Sequence, residues 1–209
     1  MKQRPAPTNG AQPAPVYNII GETVALGPGN RDELIDLFYR GDNDFAVTIL
    51  AGDPLAPRPR EAFEAEYDRD AKERHPHWIS FLIYELATGV PFGGVGLRDI
   101  DLTTGSAELG ISIGRKDYWG RGFGTEAITL VLDYGFTVLG LHNVLLTTYA
   151  YNERALRSYR KIGFTEFGRR REAMRIGDRR YDIVYMDLLR AEFHSPYNPV
   201  VPLPDEAAD

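Results

Sequence analysis

The chain contains no cysteine. This absence excludes a cysteine nucleophile, a thiolate-bound zinc or iron–sulfur centre, and any disulfide framework. A chain of 209 residues buries about 70% of the surface that its unfolded form exposes, so its stability requires neither a disulfide nor a metal. The four histidines, His75, His77, His142 and His194, do not form a metal-ligand spacing with any acidic cluster, so we expect no metal site in this protein.

The sequence also lacks an excess of positive charge and any long apolar run. Its 24 lysines and arginines are outnumbered by 30 aspartates and glutamates, which gives a net charge of −6. Nucleic-acid binding draws much of its affinity from a basic surface, so no nucleic-acid partner is expected. No segment approaches the roughly 18 apolar residues of a membrane span, and the first residues lack the apolar centre of a signal peptide. The sequence therefore predicts a cytoplasmic protein with no membrane partner.

Both ends of the chain are rich in proline, and a single domain is predicted between them. Residues 1–16 are dominated by proline, alanine and glutamine, which is typical of a disordered leader. Residues 191–209 contain four prolines and end in acidic residues, so we expect a tail that continues no helix or strand. The domain is predicted to span residues 17–190 without a repeat or a linker.

Hydrophobic periodicity and turn residues predict an α/β (α+β) fold with a mixed sheet flanked by helices. Helices and strands do not alternate strictly, so a doubly wound parallel fold is not expected. Residues 41–57 are assigned to neither class. The predicted strands are 23–26, 78–86, 90–100, 107–113, 142–149, 165–176 and 180–189, and the predicted helices are 30–39, 60–72, 122–138 and 153–161.

Three glycines at alternate positions lie between a predicted strand and the long predicted helix, in the run Trp119-Gly120-Arg121-Gly122-Phe123-Gly124-Thr125. Glycines let a ligand approach the main chain, and the amides and dipole at a helix N-terminus favour an anion. A phosphate or pyrophosphate site is therefore predicted here, with a charge-assisted contact from Arg121. The alternative is a glycine-rich turn that only begins the helix.

Two common phosphate-binding loops do not fit this run. A dinucleotide-binding fingerprint needs a third glycine where Thr125 stands, and it needs an early βαβ unit. A Walker A loop needs Gly-Lys-Ser/Thr, and the sequence contains no such string.

The run resembles the acetyl-CoA-binding motif of the GNAT N-acetyltransferases, which reads Gln or Arg, two free positions, Gly, one free position, then Gly or Ala. Gly122 and Gly124 supply the two small positions, and Trp119 stands where Gln or Arg is usual. The segment from Asn152 to Phe164 matches a second family pattern, Asn-x-x-Ala-x-x-x-Tyr-x-x-x-Gly-Phe, at full spacing. The tryptophan variant is similar to the branch containing ribosomal-protein N-terminal, polyamine and antibiotic acetyltransferases. The resemblance covers residues 24–189.

The resemblance implies a GNAT-like sheet of about seven mostly antiparallel strands, whose central strands splay apart to admit the pantetheine arm of coenzyme A. Acetyl-CoA is then the cosubstrate. The main chain of Ile111 and Ile113 would bind the arm, because its amides need strand-like partners, while the side chains of both residues belong to the core. The pyrophosphate is expected over Trp119, Gly120, Arg121, Gly122, Gly124 and Thr125.

Two catalytic residues and one further binding residue complete the predicted site. Tyr159 matches the family tyrosine that protonates the departing thiolate, the alternative being a tyrosine that packs on the sheet. Asn152 is expected to cap its helix, either with or without a contact to the pantetheine. Glu108 begins the strand before the loop and is the candidate base that takes the proton of the amine. The alternative is that Glu108 is only a solvated acid at the end of a strand. In that case a water held by Thr147 or Tyr149 would take its place as the base.

These residues predict an enzyme that transfers an acetyl group from acetyl-CoA to the primary amine of a small molecule, such as a polyamine, an amino sugar, an amino acid or an antibiotic. Direct attack by the amine is expected because the chain has no cysteine to form a covalent intermediate. The alternatives are acetylation of a protein N-terminus or lysine, and a non-catalytic module that binds coenzyme A. The family habit suggests a homodimer.

Overall fold

A computed structural model describes residues 14–72, 76–197 and 200–201 of the chain. The helices and strands in chain order are β1 (Ile19–Ile20), β2 (Val24–Gly27), α1 (Arg31–Asp42), α2 (Phe45–Ala51), α3 (Arg60–Asp70), β3 (Ile79–Glu85), β4 (Val90–Asp101), β5 (Ser106–Ser112), α4 (Phe123–Thr137), β6 (Asn143–Tyr149), α5 (Glu153–Ile162), β7 (Thr165–Ile176) and β8 (Arg179–Leu189). A short 3-10 turn, Lys116–Tyr118, precedes the glycine-rich loop.

The strands form one sheet in the order β1-β2-β3-β4-β5-β6-β8-β7. The pair β5–β6 is parallel, and the other neighbouring strands are antiparallel. The predicted fold class, a mixed and mostly antiparallel sheet flanked by helices, is confirmed. The eighth strand is the two-residue β1, which is too short for a periodic pattern to reveal.

The N-terminal helices begin and end at residues that the sequence marks. Asn30 accepts a hydrogen bond from the backbone of Glu33, whose side chain accepts one from the backbone of Asn30, and this capping box begins α1. Within the unassigned segment 41–57 the chain forms α2, which Asp44 caps and which ends at Gly52 with a φ of +80°. The periodicity of seven apolar and β-branched residues does not distinguish a helix from a strand, so the sequence did not predict α2.

The two faces of the sheet are covered by different helices. Ile83, Val95 and Leu97 belong to the main core, to which α4 contributes fully buried residues such as Leu130 and Val131. Leu82 and Tyr84, whose side chains point to the opposite face of the sheet from that of Ile83, pack under α1. The helix α4 therefore lies on one face, while α1 lies on the other. None of the helices in the described residues combines the length and apolar character that a bilayer span requires.

The segment after β8 packs on the domain. Phe193 is 5% exposed, and its ring centre lies 5.3 Å from that of Phe136 in α4. The backbone N–H of Val200 donates to Asp133 Oδ1 at 3.3 Å. The described part of this segment continues neither a helix nor a strand, and the packed core extends beyond residue 190. Residues 1–13 of the predicted leader lie outside the described residues. Residues 198–199 and 202–209 of the predicted tail also lie outside them.

Candidate active site

A cleft of about 290 Å³ opens where the end of β5 meets the start of α4 and the start of α5, with α2 along one side. It collects residues that are more than forty positions apart in the chain. The cleft contains every predicted site residue except Glu108 and Arg121, namely Ile111, Ile113, Trp119, Gly120, Gly122, Gly124, Thr125, Asn152 and Tyr159.

The cleft exists because two neighbouring strands separate. The parallel strands β5 and β6 pair only from Ser106 opposite Asn143 to Glu108 opposite Leu145. Beyond that point β6 continues beside β8, while β5 remains attached only to β4. The edge of β5 that faces β6 therefore has unpaired main-chain groups beside the cleft, and such groups require polar partners. The predicted splaying of the central strands is confirmed.

The glycine-rich loop places main-chain amides at the floor of the cleft. Gly120 and Gly122 have φ values of +73° and +90°, a left-handed region that favours glycine. No atom lies within 4 Å of the position that a Cβ would take on either residue. No side chain caps α4 at Gly122, so the first amides of the helix and its positive dipole end are available to an anion.

Trp119 fixes this loop to the strand before it. Its indole N–H donates to the carbonyl oxygen of Ile113 at 2.9 Å, which ties the loop to the end of β5. The guanidinium of Arg154, from the first turn of α5, lies 3.8 Å from the centre of the indole ring. Trp119 therefore provides a platform for a cation at the position where the family motif usually has a polar or basic side chain.

Arg154 is the cation of the cleft, and sequence reasoning did not single it out. It lines the cleft and is half-buried. Burial lowers the pKa of its guanidinium from the ordinary value, with no carboxylate contributing to the shift. Arginine stays protonated in proteins, so the positive charge is retained. The signal that could have found Arg154 is its position two residues after Asn152, at the start of the helix facing the loop.

Arg121 lies outside the cleft. Its guanidinium is 3.5 Å from Glu85 Oε1 and 4.6 Å from the centre of the Phe123 ring. A third contact, 5.5 Å to the ring centre of Tyr118, holds it on the same outer side of the loop. Glu85 of β3 is thus the ionic partner of Arg121 in this arrangement, and the contact of Arg121 with a phosphate stays a prediction.

Tyr159 reaches the cleft from the second turn of α5. Its side chain is 8% exposed, and its ring packs edge-on against Phe164 at 6.0 Å. Burial raises the pKa of the phenol to about 12, so the hydroxyl remains protonated at neutral pH and can donate a hydrogen bond. The described residues provide no hydrogen-bond partner for this hydroxyl.

Asn152 caps α5 and contacts α2. Its Oδ1 accepts from the backbone N–H of Ala155 at 3.3 Å, and its Nδ2 donates to the carbonyl of Leu50 at 3.5 Å. The predicted N-cap is confirmed. A contact with the pantetheine stays a prediction.

Glu108 lies on the opposite face of the sheet from Ala107 and Leu109, which are buried in the main core. One oxygen of its carboxylate accepts from Arg98 at 2.6 Å and from the hydroxyl of Thr147 at 3.3 Å. The side chain is 24% exposed. Glu108 and Thr147 therefore stand on the two sides of the strand gap, on the face away from α4.

Tyr149, the other alternative to Glu108, belongs to an aromatic cluster beside α2. Its ring stacks on that of Tyr151 at 5.3 Å with an angle of 8° between the planes. The hydroxyl of Tyr151 donates to the carbonyl of Ile49 at 2.5 Å. Burial, followed by the charge of Asp53, raises the pKa of Tyr149, which favours the neutral phenol.

Comparison with known proteins assigns the family. The acetyltransferase (GNAT) domain model matches residues 24–165. The chain belongs to the GNAT acetyltransferase family. It is an acyltransferase, as the sequence resemblance predicted.

Several relatives extend this assignment. The chain is 34% identical to spermidine N(1)-acetyltransferase from Escherichia coli K12, over 70% of this chain and 75% of that protein. It is 31% identical to an uncharacterized N-acetyltransferase, p20, from Bacillus licheniformis, over 54% of this chain and 63% of that one. The crystal structure of Vibrio cholerae spermidine N-acetyltransferase in complex with CoA and spermine superposes with a TM-score of 0.72 at 24% identity, covering 81% of this chain and 97% of that chain. This likeness confirms the GNAT fold. Within the described residues no group of three or more histidine, aspartate or glutamate side chains is placed to hold a metal ion.

Proposed function

We propose that this GNAT enzyme transfers an acetyl group from acetyl-CoA to the primary amine of a small molecule by direct attack. The observation that carries the proposal is the meeting, in one cleft, of the unpaired edge of β5 and the uncapped N-terminus of α4. Coenzyme A has an amide-containing arm and a pyrophosphate, and these two features need those two kinds of partner.

The cleft fits the cosubstrate on three grounds. The amides at Gly122–Thr125 and the positive helix end suit the pyrophosphate, and the open space at Gly120 and Gly122 leaves room for it. Arg154 adds a positive charge that is not paired with a carboxylate in the described part of the chain. The main chain of Ile111 and Ile113 stands at the edge where the arm would bind.

Tyr159 would assist the departure of the thiolate. Because its pKa is about 12 and that of a thiol is about 8.5, complete proton transfer to the thiolate is uphill. The hydroxyl therefore acts chiefly as a hydrogen-bond donor that stabilises negative charge on sulfur as the carbon–sulfur bond breaks. The proton that the thiolate finally takes is balanced by the proton that the attacking amine loses.

Glu108 is the proposed acceptor of the amine proton. The carboxylate faces the strand gap from the side away from α4, next to Thr147, so a water held between the two is a second route for the proton. Arg98 holds the carboxylate in place through a hydrogen bond of 2.6 Å.

The acceptor class is a proposal supported by the spermidine N-acetyltransferase relatives, whose names indicate a small amine. Protein acetylation is the alternative, and a relative at 31% identity, the putative ribosomal N-acetyltransferase YdaF of Bacillus subtilis, favours it. A non-catalytic coenzyme A-binding module is the second alternative. The cytoplasmic location and the homodimer stay predictions of the sequence.

Turnover of acetyl-CoA on a panel of free amines beside a panel of peptides tests the proposal. We expect thiol release with at least one small amine and none with peptides bearing a free N-terminus or lysine. Activity confined to peptides would establish the protein-directed alternative. Binding of coenzyme A without turnover on either panel would establish the non-catalytic one.

A further inference from the structure

Gly110 lies in the interior of β5 and is exposed, although β5 is a central strand of the sheet. Glycine inside a strand is destabilising, because it loses more conformational freedom on folding than other residues and has no side chain to pack. A glycine at such a position therefore has a specific cause. The causes are a left-handed backbone, a bulge, a neighbour in the place of its Cβ, or the close approach of a ligand.

The three structural causes do not apply to Gly110. Its φ is not positive. The register between β4 and β5 runs without a shift from Gly94 opposite Ser112 to Arg98 opposite Glu108, so Gly110 is not part of a bulge. No atom of the described residues lies within 4 Å of the position that a Cβ would take on Gly110. The approach of a ligand is the cause that remains.

The glycines of the neighbouring strand β4 show the contrast. A Cβ on Gly93 would lie 2.5 Å from the carbonyl oxygen of Ser112, and a Cβ on Gly96 would collide with the carbonyl oxygen of Ile79. Both residues are glycines because the main chain of another strand occupies the space. Gly110 has free space at the same kind of position, so packing within the sheet does not explain it.

The free space at Gly110 lies beside the proposed base. Residues two apart in a strand point to the same face, so a side chain at Gly110 would stand on the face of Glu108, away from α4. Pairing between β5 and β6 ends at Glu108, so Gly110 also lies where the strand gap opens. On its other side Gly110 is followed by Ser112, which is opposite Gly94, and Phe38 of α1 covers Gly94 with its Cζ 3.2 Å from the position of a Cβ there. The free space therefore lies between the carboxylate and the part of the sheet that α1 covers.

We propose that the acceptor reaches the reaction centre over Gly110, and that the absence of a side chain there determines the access of the amine. The inference rests on the proposed function and deepens it, because it names the residue that controls the approach of the acceptor. The carbon that carries the amine occupies the space that a Cβ would fill, and its nitrogen lies next to Glu108. Coenzyme A binds from the side of α4, so a side chain at Gly110 excludes the acceptor and leaves the cosubstrate in place.

The variants Gly110→Ala and Gly110→Val test the inference, with Gly168→Ala and Gly168→Val as matched controls. Gly168 of β7 has the same free space at the position of its Cβ and a φ that is not positive. It is opposite Tyr185, which is opposite Thr147, so it lies two strands, or about 10 Å, beyond the far side of the gap. Acetyl transfer to ethylamine, isopropylamine, spermidine and a lysine-containing peptide is measured for each variant. Calorimetry measures the affinity for coenzyme A, and thermal denaturation measures the melting temperature.

For each acceptor that the parent enzyme acetylates, we expect kcat/KM to fall about tenfold in Gly110→Ala and about 10²-fold in Gly110→Val, the range typical of overfilling a packed space. The loss should be larger for isopropylamine than for ethylamine, because its branched carbon needs more of that space. Coenzyme A affinity should not change. The melting temperature should not fall, because alanine and valine restrict the unfolded chain more than glycine does and valine favours strands. The Gly168 variants should keep the kcat/KM of the parent.

A kcat/KM in Gly110→Val equal to that of the parent would overturn the inference. A loss of turnover that is matched by an equal loss of coenzyme A affinity, or by a lower melting temperature, would also overturn it, since the residue would then act through the cosubstrate or the fold. Parent activity on the peptide alone that Gly110→Val abolishes would contradict the proposed small-molecule function and support the role of Gly110. If the parent acetylates none of the acceptors, both the proposed function and the inference are wrong.

Discussion

The guanidinium of Arg154 lies 3.8 Å from the centre of the Trp119 ring, across the mouth of the cleft between α4 and α5. The loop residue that replaces the usual Gln or Arg of the motif thus carries a cation supplied by another helix. Both residues line the cleft, but Trp119 belongs to the loop before α4 and Arg154 belongs to α5. This relationship makes Arg154 the first residue to test.

Replacing Arg154 by glutamine should weaken coenzyme A binding about tenfold or more, because a charge-assisted contact to a phosphate is lost. Calorimetry with coenzyme A and with pantetheine, which has no phosphate, measures the effect. The affinity for pantetheine should not change. Arg157→Gln is the matched control, since Arg157 is on the same helix, exposed, and paired with Glu153. Equal losses in both variants would remove Arg154 from the phosphate site.

Replacing Tyr159 by phenylalanine should lower kcat about 10²-fold and leave KM for acetyl-CoA close to that of the parent enzyme. The hydroxyl has no hydrogen-bond partner among the described residues, so thermal stability should not fall. Tyr134→Phe serves as the control, because Tyr134 is a partly buried tyrosine of α4 that packs on Phe81 away from the cleft. An unchanged kcat would leave Tyr159 as a packing residue only.

The Tyr159 phenol should also affect stability at alkaline pH. Its folded pKa of about 12 is above the ordinary value of 10.0, so ionisation favours the unfolded chain. The contribution of Tyr159 to the free energy of unfolding should therefore be constant below pH 10 and decrease as the pH rises toward 12. Urea denaturation at pH 9, 10 and 11 should show a smaller decrease for Tyr159→Phe than for the parent, and identical slopes would contradict the assigned burial.

Replacing Gly122 by alanine should cost about 1 to 2 kcal/mol of folding free energy, because an L-residue there would take a left-handed conformation. The backbone has a φ of +90° at this position, and there is space for the methyl group, so strain rather than a clash is responsible. Coenzyme A affinity should fall as well. Gly168→Ala is the control, since its Cβ also enters open space and its φ is not positive. Denaturation curves and calorimetry compare the two.

Replacing Phe193 by alanine should destabilise the domain by about 3 to 5 kcal/mol, because a ring packed on Phe136 leaves a cavity behind. The size of the loss shows how much the segment after residue 190 contributes to the stability of the folded domain. Leu102→Ala, at a side chain 69% exposed, should stay within about 0.5 kcal/mol of the parent. A small loss for Phe193→Ala would mean that the segment after β8 adds little to the fold.

Local signals in the sequence were sufficient for most elements. The capping residue Asn30 placed the start of α1, and Asn152 placed the start of α5. The glycine spacing located the loop before α4. By contrast, α2 and β1 were not predicted, because a seven-residue apolar helix and a two-residue strand carry no readable period.

The side chains of the candidate site were harder to predict from the sequence than the fold was, and Arg121 and Arg154 show why. Arg121 stands inside the motif, yet Glu85, which is 36 residues away in sequence, holds it on the outer side of the loop. Arg154 stands inside the second motif, and only the packing of α5 against the loop brings it over Trp119. Side-chain direction depends on partners distant in the chain, and spacing alone does not report them.

The amino-acid sequence by itself determined the family, the order along the chain of the central strands and helices, and the position of the loop before α4. These features depend on periodicity, capping and glycine conformation within short windows of sequence. The tertiary structure decided which cation enters the cleft and where β5 separates from β6. Those features depend on strand register and on contacts between distant segments, which arise only when the whole sheet has formed.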